Sequence, residues 1–118
     1  MNKVFLGGTC ASSTWRDKLI ANLCVDFFNP VVEDWDAGCI AMEENQKEIL
    51  CNIHLYVITK EMLGVYSIAE AVESAHRKDK QTIFHVIPEG FDEFQIKSFK
   101  ATVDLIHRQG GIAYIDSD

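Results

Sequence analysis

The sequence has few prolines, few basic residues and no long apolar run, and each shortage excludes a class of protein. Only two prolines occur in 118 residues, and hydrophobic residues make up 47% of the chain. That balance is typical of a folded chain rather than a disordered one, so we expect residues 1–118 to form a single domain. Lys and Arg number 11 against 18 Asp and Glu, which gives a formal net charge of −7. A nucleic acid polymer or an anionic membrane is therefore not an expected partner.

Other common signals are missing as well. No apolar run approaches the roughly 20 residues that span a bilayer, and the N-terminal "MNKVFLGGT" leads into a strand pattern rather than a signal peptide, so we expect a cytoplasmic protein. The chain contains no Walker loop, G-x-G-x-x-G motif or G-x-S-x-G elbow. Its cysteines, Cys10, Cys24, Cys39 and Cys51, form no C-x-x-C pair, and we expect them to be reduced and mostly buried, with Cys10 as the exception because it lies in a glycine loop. Neither a metal nor a cofactor is expected.

What the chain does contain is a fivefold alternation of short apolar segments and helical patterns. The strand candidates are "KVFLG" (3–7), "VDFFN" (25–29), "IHLYVIT" (53–59), "TIFHVI" (82–87) and "IAYI" (112–115). Such continuous apolar runs fit strands that are covered on both faces. The last helical pattern, "EFQIKSFKATVDLIHR", ends at a Gly-Gly stop. The alternation predicts a three-layer α/β fold, flavodoxin-like or Rossmann-like, whose five-stranded parallel sheet has the order 2-1-3-4-5 and helices on both faces.

In such a sheet the ligand crevice opens beyond the carboxyl ends of the strands, so the loops that follow the strands are the ones to search. After the first strand, Gly7 and Gly8 allow close approach of the backbone to a ligand, and Thr9 offers a hydroxyl to a phosphate or sugar. The alternative is a plain tight turn, with Thr14 and Asp17 forming a capping box.

The loop after the second strand carries "FFNPVVEDWD". Asn29 and the proline after it end the strand, and Trp35 lies between two aspartates in a link long enough to be functional. Trp35 either stacks on a base or sugar, or it covers an edge of the core.

The stretch "GVYSIAEA" follows the third strand and offers two interpretations of Glu70. In one, Ser67 and Glu70 form a capping box at a helix start. In the other, Glu70 is an ionised carboxylate at the crevice mouth, as a glycosyl-transferring nucleophile requires. Glu43 and Glu44 raise a similar choice between a general acid and an ordinary acidic helix start.

Taken in order, "VFLGGT", "WR", "FFNPVVEDWD", "EEN", "LYVIT" and "GVYSIAEAVESA" resemble the nucleoside 2-deoxyribosyltransferase superfamily, most closely its short nucleoside 2-deoxyribosyltransferase-like branch. The resemblance implies a catalytic glutamate, Glu70, that attacks the anomeric carbon of a 2-deoxyribosyl N-glycoside. It places the group that handles the leaving base at Glu43, with a slip to Glu44 left open. The substrate-binding positions it implies are Gly7, Gly8, Thr9, Asn29, Trp35, Gly64 and Ser67.

The chain also departs from the pattern of this superfamily. Gly64 stands where its transferases usually carry an aspartate, and Tyr66 stands where a glycine is common. Ser67 replaces a threonine. The tyrosine at position 66 would narrow the pocket or change its hydrogen-bond donors.

Three functions from different classes follow. The first is an enzyme, a nucleoside deoxyribosyltransferase or deoxynucleotide N-hydrolase, that acts on 2′-deoxynucleosides or their 5′-monophosphates by base exchange or hydrolysis through a covalent glutamyl-deoxyribose. The second is a catalytically silent nucleotide- or ADP-ribose-binding module in which Glu70 only caps its helix. The third is a flavin-binding or protein-interaction domain. The resemblance also implies a homodimer or larger assembly, to which Phe91 and Phe94 belong unless they tuck the last helix onto the sheet.

Overall fold

In the computed structural model, which describes residues 2–10, 14–31 and 37–116, five strands form one parallel sheet in the order β2-β1-β3-β4-β5. The strands are β1 (Lys3–Gly8), β2 (Asp26–Phe28), β3 (Ile53–Ile58), β4 (Gln81–Val86) and β5 (Ile112–Ile115). The helices are α1 (Trp15–Ile20), α2 (Ala37–Asn45), α3 (Tyr66–Ala75) and α4 (Glu93–Arg108), and a π-helical turn, Gln46–Leu50, continues α2. The predicted α/β class, parallel pairing and strand order are confirmed.

Helices cover both faces of the sheet because the side chains of each strand alternate between two apolar clusters. One cluster joins Phe5, Tyr56 and Phe84 to α3 and α4. The other joins Leu6 and Val57 to the side chains of α1. The central strands of the sheet are thus covered on both faces, which explains the continuous apolar runs in the sequence.

The helix ends agree with the sequence in one case and differ in another. Helix α4 has the predicted bounds, and a capping box between Asp92 and Gln95 fixes its start. Helix α1 spans only six residues, and Thr14 at its N-cap makes no side-chain capping hydrogen bond. The predicted capping box of Thr14 and Asp17 is therefore wrong.

Two glycines at the end of β1 hold that strand close to β3. A Cβ atom on Gly7 would lie 2.6 Å from the Tyr56 ring, and one on Gly8 would lie 2.2 Å from the carbonyl oxygen of Val57. Gly8 also has a φ of 103°, which favours glycine. The glycine pair is thus required by the packing of β1 on β3, whatever the loop binds.

Other side-chain expectations have mixed outcomes. Among the cysteines only Cys51 is buried, whereas Cys10 and Cys24 are exposed, so the expectation of mostly buried thiols is wrong. Phe91 packs its ring edge against Phe99 of α4 with ring centroids 4.9 Å apart, while Phe94 is 85% exposed.

None of the helices formed by the described residues is long and apolar enough to cross a membrane.

Candidate active site

Two adjoining cavities open where β1 and β3 end. The first, of about 340 Å³, contains the acidic groups, and its lining comprises Phe5, Gly7, Gly8, Cys10, Arg16, Pro30, Glu43, Tyr66, Ser67 and Glu70. The second, of about 270 Å³, is more apolar and is lined by Gly8, Thr9, Cys10, Ile58, Met62, Leu63, Gly64, Tyr66 and Ser67. The cavities share part of their walls, so together they form one bipartite cleft at the predicted edge of the sheet.

Glu70 lies in this cleft and does not cap its helix. Helix α3 begins at Tyr66, its N-cap is Val65, and no side-chain capping hydrogen bond is present. Glu70 is therefore beyond the first turn of α3, which contains no acidic residue. The capping-box interpretation of Ser67 and Glu70 is wrong, because the helix begins one residue before Ser67.

The hydrogen bond of Glu70 goes instead to a lysine from the π-helical turn. Lys47 Nζ donates to Glu70 Oε2 at 3.0 Å, and the two side chains are 5% and 9% exposed. Burial on its own would lower the pKa of Lys47, but the hydrogen bond and charge of Glu70 outweigh it and raise that pKa. Lys47 therefore stays an ammonium and supplies the counter-charge that a buried carboxylate needs.

Glu43 shares the first cavity with Glu70 and differs from it in environment. Burial, followed by the negative charge of Glu70, raises the pKa of Glu43 above its ordinary value. Glu44, by contrast, is 55% exposed and lies 3.5 Å from Lys47 Nζ. Of the two candidates for the second acid, Glu43 is the one that lines the cavity, and its pKa is shifted in the direction that a general acid requires.

The loop after β1 is fixed by hydrogen bonds between Thr9 and the end of β3. Thr9 is buried, and its hydroxyl oxygen accepts from the amide of Thr59 at 2.9 Å. The Thr9 amide donates to the carbonyl oxygen of Val57 at 2.8 Å. Thr9 thus joins the ends of β1 and β3, and it lines only the second, more apolar cavity.

Arg16 reinforces the same loop from the first turn of α1. Its guanidinium donates to the carbonyl oxygens of Leu6, Gly8 and Thr9 at 3.0, 3.2 and 2.5 Å. It also lies 4.3 Å from the ring centroid of Trp15. Burial lowers the pKa of Arg16, yet a guanidinium remains charged. A buried cation therefore lines the acidic cavity and fixes the conformation of the glycine loop through three hydrogen bonds.

The remaining predicted binding residues are distributed unevenly. Ser67 lines both cavities and Gly64 lines the second one. An added Cβ on Gly64 would meet nothing within 4 Å, so no packing requires a glycine there. Asn29 does not line either cavity; its side-chain oxygen accepts from the amide of Val31 at 3.1 Å and turns the chain after β2. Trp35 lies outside the described residues.

Tyr66, which differs from the glycine common in the superfamily, stands between the two cavities. It contributes to the walls of both, and its side chain is 69% exposed. The aromatic ring is thus available to a ligand at the cleft mouth. That a tyrosine at this position narrows the pocket or changes its hydrogen-bond donors stays a prediction.

Sequence reasoning missed two charged residues of the site, Lys47 and Arg16. Lys47 lies in "ENQKE", which has the composition of a solvated helix face, and its partner is far away in the sequence. Arg16 stands in the sequence only as part of "WR", because its three carbonyl contacts depend on the folded loop. Within the described ranges, no group of three or more His, Cys, Asp or Glu residues is arranged to hold a metal ion.

Comparison with known proteins gives one family. The family model described as "Nucleoside 2-deoxyribosyltransferase like" matches residues 1–91. No curated protein and no solved structure matches the chain. The matched segment contains β1 to β4 and every residue of the cleft named above. Because the match covers well over half of the 118 residues, the chain belongs to the nucleoside 2-deoxyribosyltransferase-like family.

Proposed function

We propose that the protein cleaves the N-glycosidic bond of 2′-deoxynucleosides or their 5′-monophosphates, with Glu70 as nucleophile and Glu43 as general acid. The family description gives the class of chemistry. Both carboxyl groups line one cavity, Glu70 accepts a hydrogen bond from Lys47, and burial raises the pKa of Glu43, which supports these roles. The bipartite cleft offers a compartment with two carboxyl groups for the sugar and a more apolar one for another part of the ligand.

In the first half of the reaction, a carboxylate oxygen of Glu70 attacks the anomeric carbon of the deoxyribose. Because Lys47 contacts Oε2, the other oxygen, Oε1, is the one left to attack. The C1′–N bond breaks through an oxocarbenium-like state, and its electron pair passes to the base nitrogen. Glu43 gives its proton to the departing base, which leaves the sugar as an ester of Glu70.

In the second half, a nitrogen of a second base, or water, attacks the same carbon. The ester bond to Glu70 breaks, its electron pair returns to the carboxylate, and the ionised Glu43 accepts the proton of the attacking group. A second base gives a new deoxynucleoside, whereas water gives free deoxyribose or its 5′-phosphate. Which of the two occurs depends on how well the loaded site excludes water.

The observation that carries the proposal is the hydrogen bonding of Glu70. A carboxylate held by Lys47 in a cavity, rather than by the first turn of its own helix, is free of the capping role that the silent binding module required. Preorganised, buried carboxylates in a concave site are typical of catalytic groups. The enzyme interpretation therefore has more support than the silent module.

The test is a chromatographic assay of the purified protein with a panel of 2′-deoxynucleosides and their 5′-monophosphates, with and without an acceptor base. Glu70→Gln should abolish release or exchange of the base. Glu73→Gln is the matched control, since Glu73 is an exposed glutamate of the same helix. A wild-type protein that releases no base from any member of the panel, or a Glu70→Gln variant as active as Glu73→Gln, would contradict the proposal.

We further propose that the protein acts as a homodimer or larger homo-oligomer. Beside the cleft, Leu63 and Val65 of the loop between β3 and α3 are 94% and 69% exposed, and Tyr66 at the start of α3 is 69% exposed. Exposed apolar side chains at a cleft rim are typical of an interaction surface. Light scattering on the purified protein tests this, and a monomer at working concentration would contradict it.

A further inference from the structure

A network of hydrogen bonds between buried polar groups leads to Lys47, the lysine that donates to Glu70. It begins in the π-helical turn, where the Cys51 amide donates to the carbonyl oxygen of Gln46 at 2.7 Å. In a regular α-helix that amide would bond to the carbonyl oxygen of Lys47. In the wider turn the Lys47 carbonyl oxygen therefore accepts no hydrogen bond from the Cys51 amide. It lies instead 2.7 Å from Nε2 of the His54 imidazole.

The geometry fixes the tautomer of His54. A carbonyl oxygen can only accept, so His54 Nε2 carries the hydrogen and donates it to Lys47. Burial lowers the pKa of His54, although the backbone bond to Lys47 opposes that effect, and the ring is neutral at pH 7. His54 Nδ1 therefore accepts from the Ser74 hydroxyl at 2.8 Å. Since Ser74 has one hydroxyl hydrogen, Thr82 must donate to it at 2.6 Å.

Helix α3 is consequently linked to the π-helical turn by two sets of hydrogen bonds. Glu70 and Ser74 are four residues apart and lie on one face of the helix. Glu70 contacts the Lys47 side chain directly, while Ser74 reaches the Lys47 backbone through His54. The three polar residues of this network are almost wholly buried: His54 is 2% exposed, Ser74 is 3% exposed and Thr82 is 1% exposed. Water does not compete for these hydrogen bonds, so they are directional and strong.

We propose that His54 is a positioning residue that fixes Lys47, and through it the attacking carboxylate of Glu70. The proposal rests on the proposed function, in which Glu70 is the nucleophile. Without the His54 bond the Lys47 carbonyl loses its partner and the turn can revert to a regular helix, which moves the ammonium away from Glu70. Misplacing a catalytic group by about 1 Å can cost on the order of 100-fold in rate.

The first test compares His54→Leu with His54→Gln. Leucine removes the donor to Lys47, whereas the glutamine amide nitrogen reaches about as far as Nε2 and can replace it. We expect His54→Leu to lower kcat by roughly 10- to 100-fold with KM changed by less than about twofold. His54→Gln should recover most of that loss. His85→Leu is the matched control, because His85 lies on β4 against Tyr114 and bonds to the Asp116 carbonyl oxygen, away from Lys47.

A double-mutant cycle separates positioning from general structural damage. Lys47→Gln removes the ammonium, and its amide nitrogen ends one bond short of the Nζ position that bonds to Glu70. If His54 acts through Lys47, His54→Leu adds less than about a twofold loss of kcat in the Lys47→Gln background. If the two losses multiply, or if His54→Gln is as impaired as His54→Leu, the proposal is overturned. Variants are compared at a temperature at which circular dichroism shows all of them folded.

A measurement that needs no activity keeps this proposal separate from the proposed function. In ¹⁵N nuclear magnetic resonance, the wild-type protein should show His54 as the neutral Nε2–H tautomer and a slowly exchanging Lys47 ammonium. Ser74→Ala, the mildest change in the network, should speed the exchange of that ammonium, while Ser98→Ala on α4 should not. An exposed, fast-exchanging Lys47 in the wild type would overturn the proposal even if the enzyme is active. Absence of base release with the expected spectra would instead refute the proposed function alone.

Discussion

Replacing Lys47 by methionine tests whether the ion pair between Lys47 and Glu70 stabilises the fold. Methionine keeps an unbranched chain but removes the ammonium from Glu70, whose side chain is only 9% exposed. Removing one partner of a buried pair costs about 3–5 kcal/mol, because the remaining charge is left uncompensated. The second contact of Lys47, with the 55%-exposed Glu44, adds at most about 1 kcal/mol.

The assay is equilibrium unfolding in urea. A domain of this size has a free energy of unfolding of about 5–15 kcal/mol, so the expected loss is a large share of the total. With a slope of about 1–3 kcal/mol per molar urea, the midpoint should fall by roughly 1 M or more. Glu70→Gln combined with Lys47→Met should be more stable than Lys47→Met alone, because no charge is then buried unpaired.

Two results would refute this reasoning. A loss below about 1 kcal/mol for Lys47→Met would mean that Glu70 is well solvated or has another partner. A double variant less stable than Lys47→Met by the full cost of Glu70→Gln would mean that the two residues do not interact.

Three further predictions follow from single residues. Because burial and the charge of Glu70 raise the pKa of Glu43, its acid form should persist to higher pH than that of an ordinary glutamate. Turnover should then fall as pH rises through that pKa, and Glu43→Gln should remove this limb of the pH–rate profile; an unchanged limb would exclude Glu43 as the acid. Gly8→Ala should lower the free energy of unfolding by about 2–5 kcal/mol, since its Cβ would meet the Val57 carbonyl and its φ is 103°; a loss below about 1 kcal/mol in urea unfolding contradicts the packing of β1 on β3. Among the described residues, the buried Tyr56 hydroxyl has no hydrogen-bond partner, so Tyr56→Phe should be neutral or stabilise by about 1 kcal/mol in the same assay; a clear destabilisation would mean that the hydroxyl is bonded in solution.

Much of the fold could be predicted from the sequence because local and global signals agree. The apolar runs of the five strands are continuous, since each central strand is covered on both faces. The bounds of Glu93–Arg108 were predictable from its spacing and from the Gly-Gly stop. Parallel order then follows from the alternation of strands with helices.

The misses at the site concern where a helix begins and which kind of helical turn forms, not whether a helix is present. Ser67 and Glu70 have the spacing of a capping box, but α3 begins at Tyr66, which takes both residues out of register with the helix start. The π-helical turn that presents Lys47 leaves no signature in composition. Both facts depend on contacts between residues distant in the chain, which a local pattern does not contain.

The covalent intermediate tests the central claim most directly. The protein is mixed with a deoxynucleoside, quenched in acid within a turnover and digested, and the peptides are analysed by mass spectrometry. Our account predicts a deoxyribosyl group on the peptide that contains Glu70, present in Glu73→Gln and absent in Glu70→Gln. Base release without any adduct, together with full activity of Glu70→Gln, would contradict it.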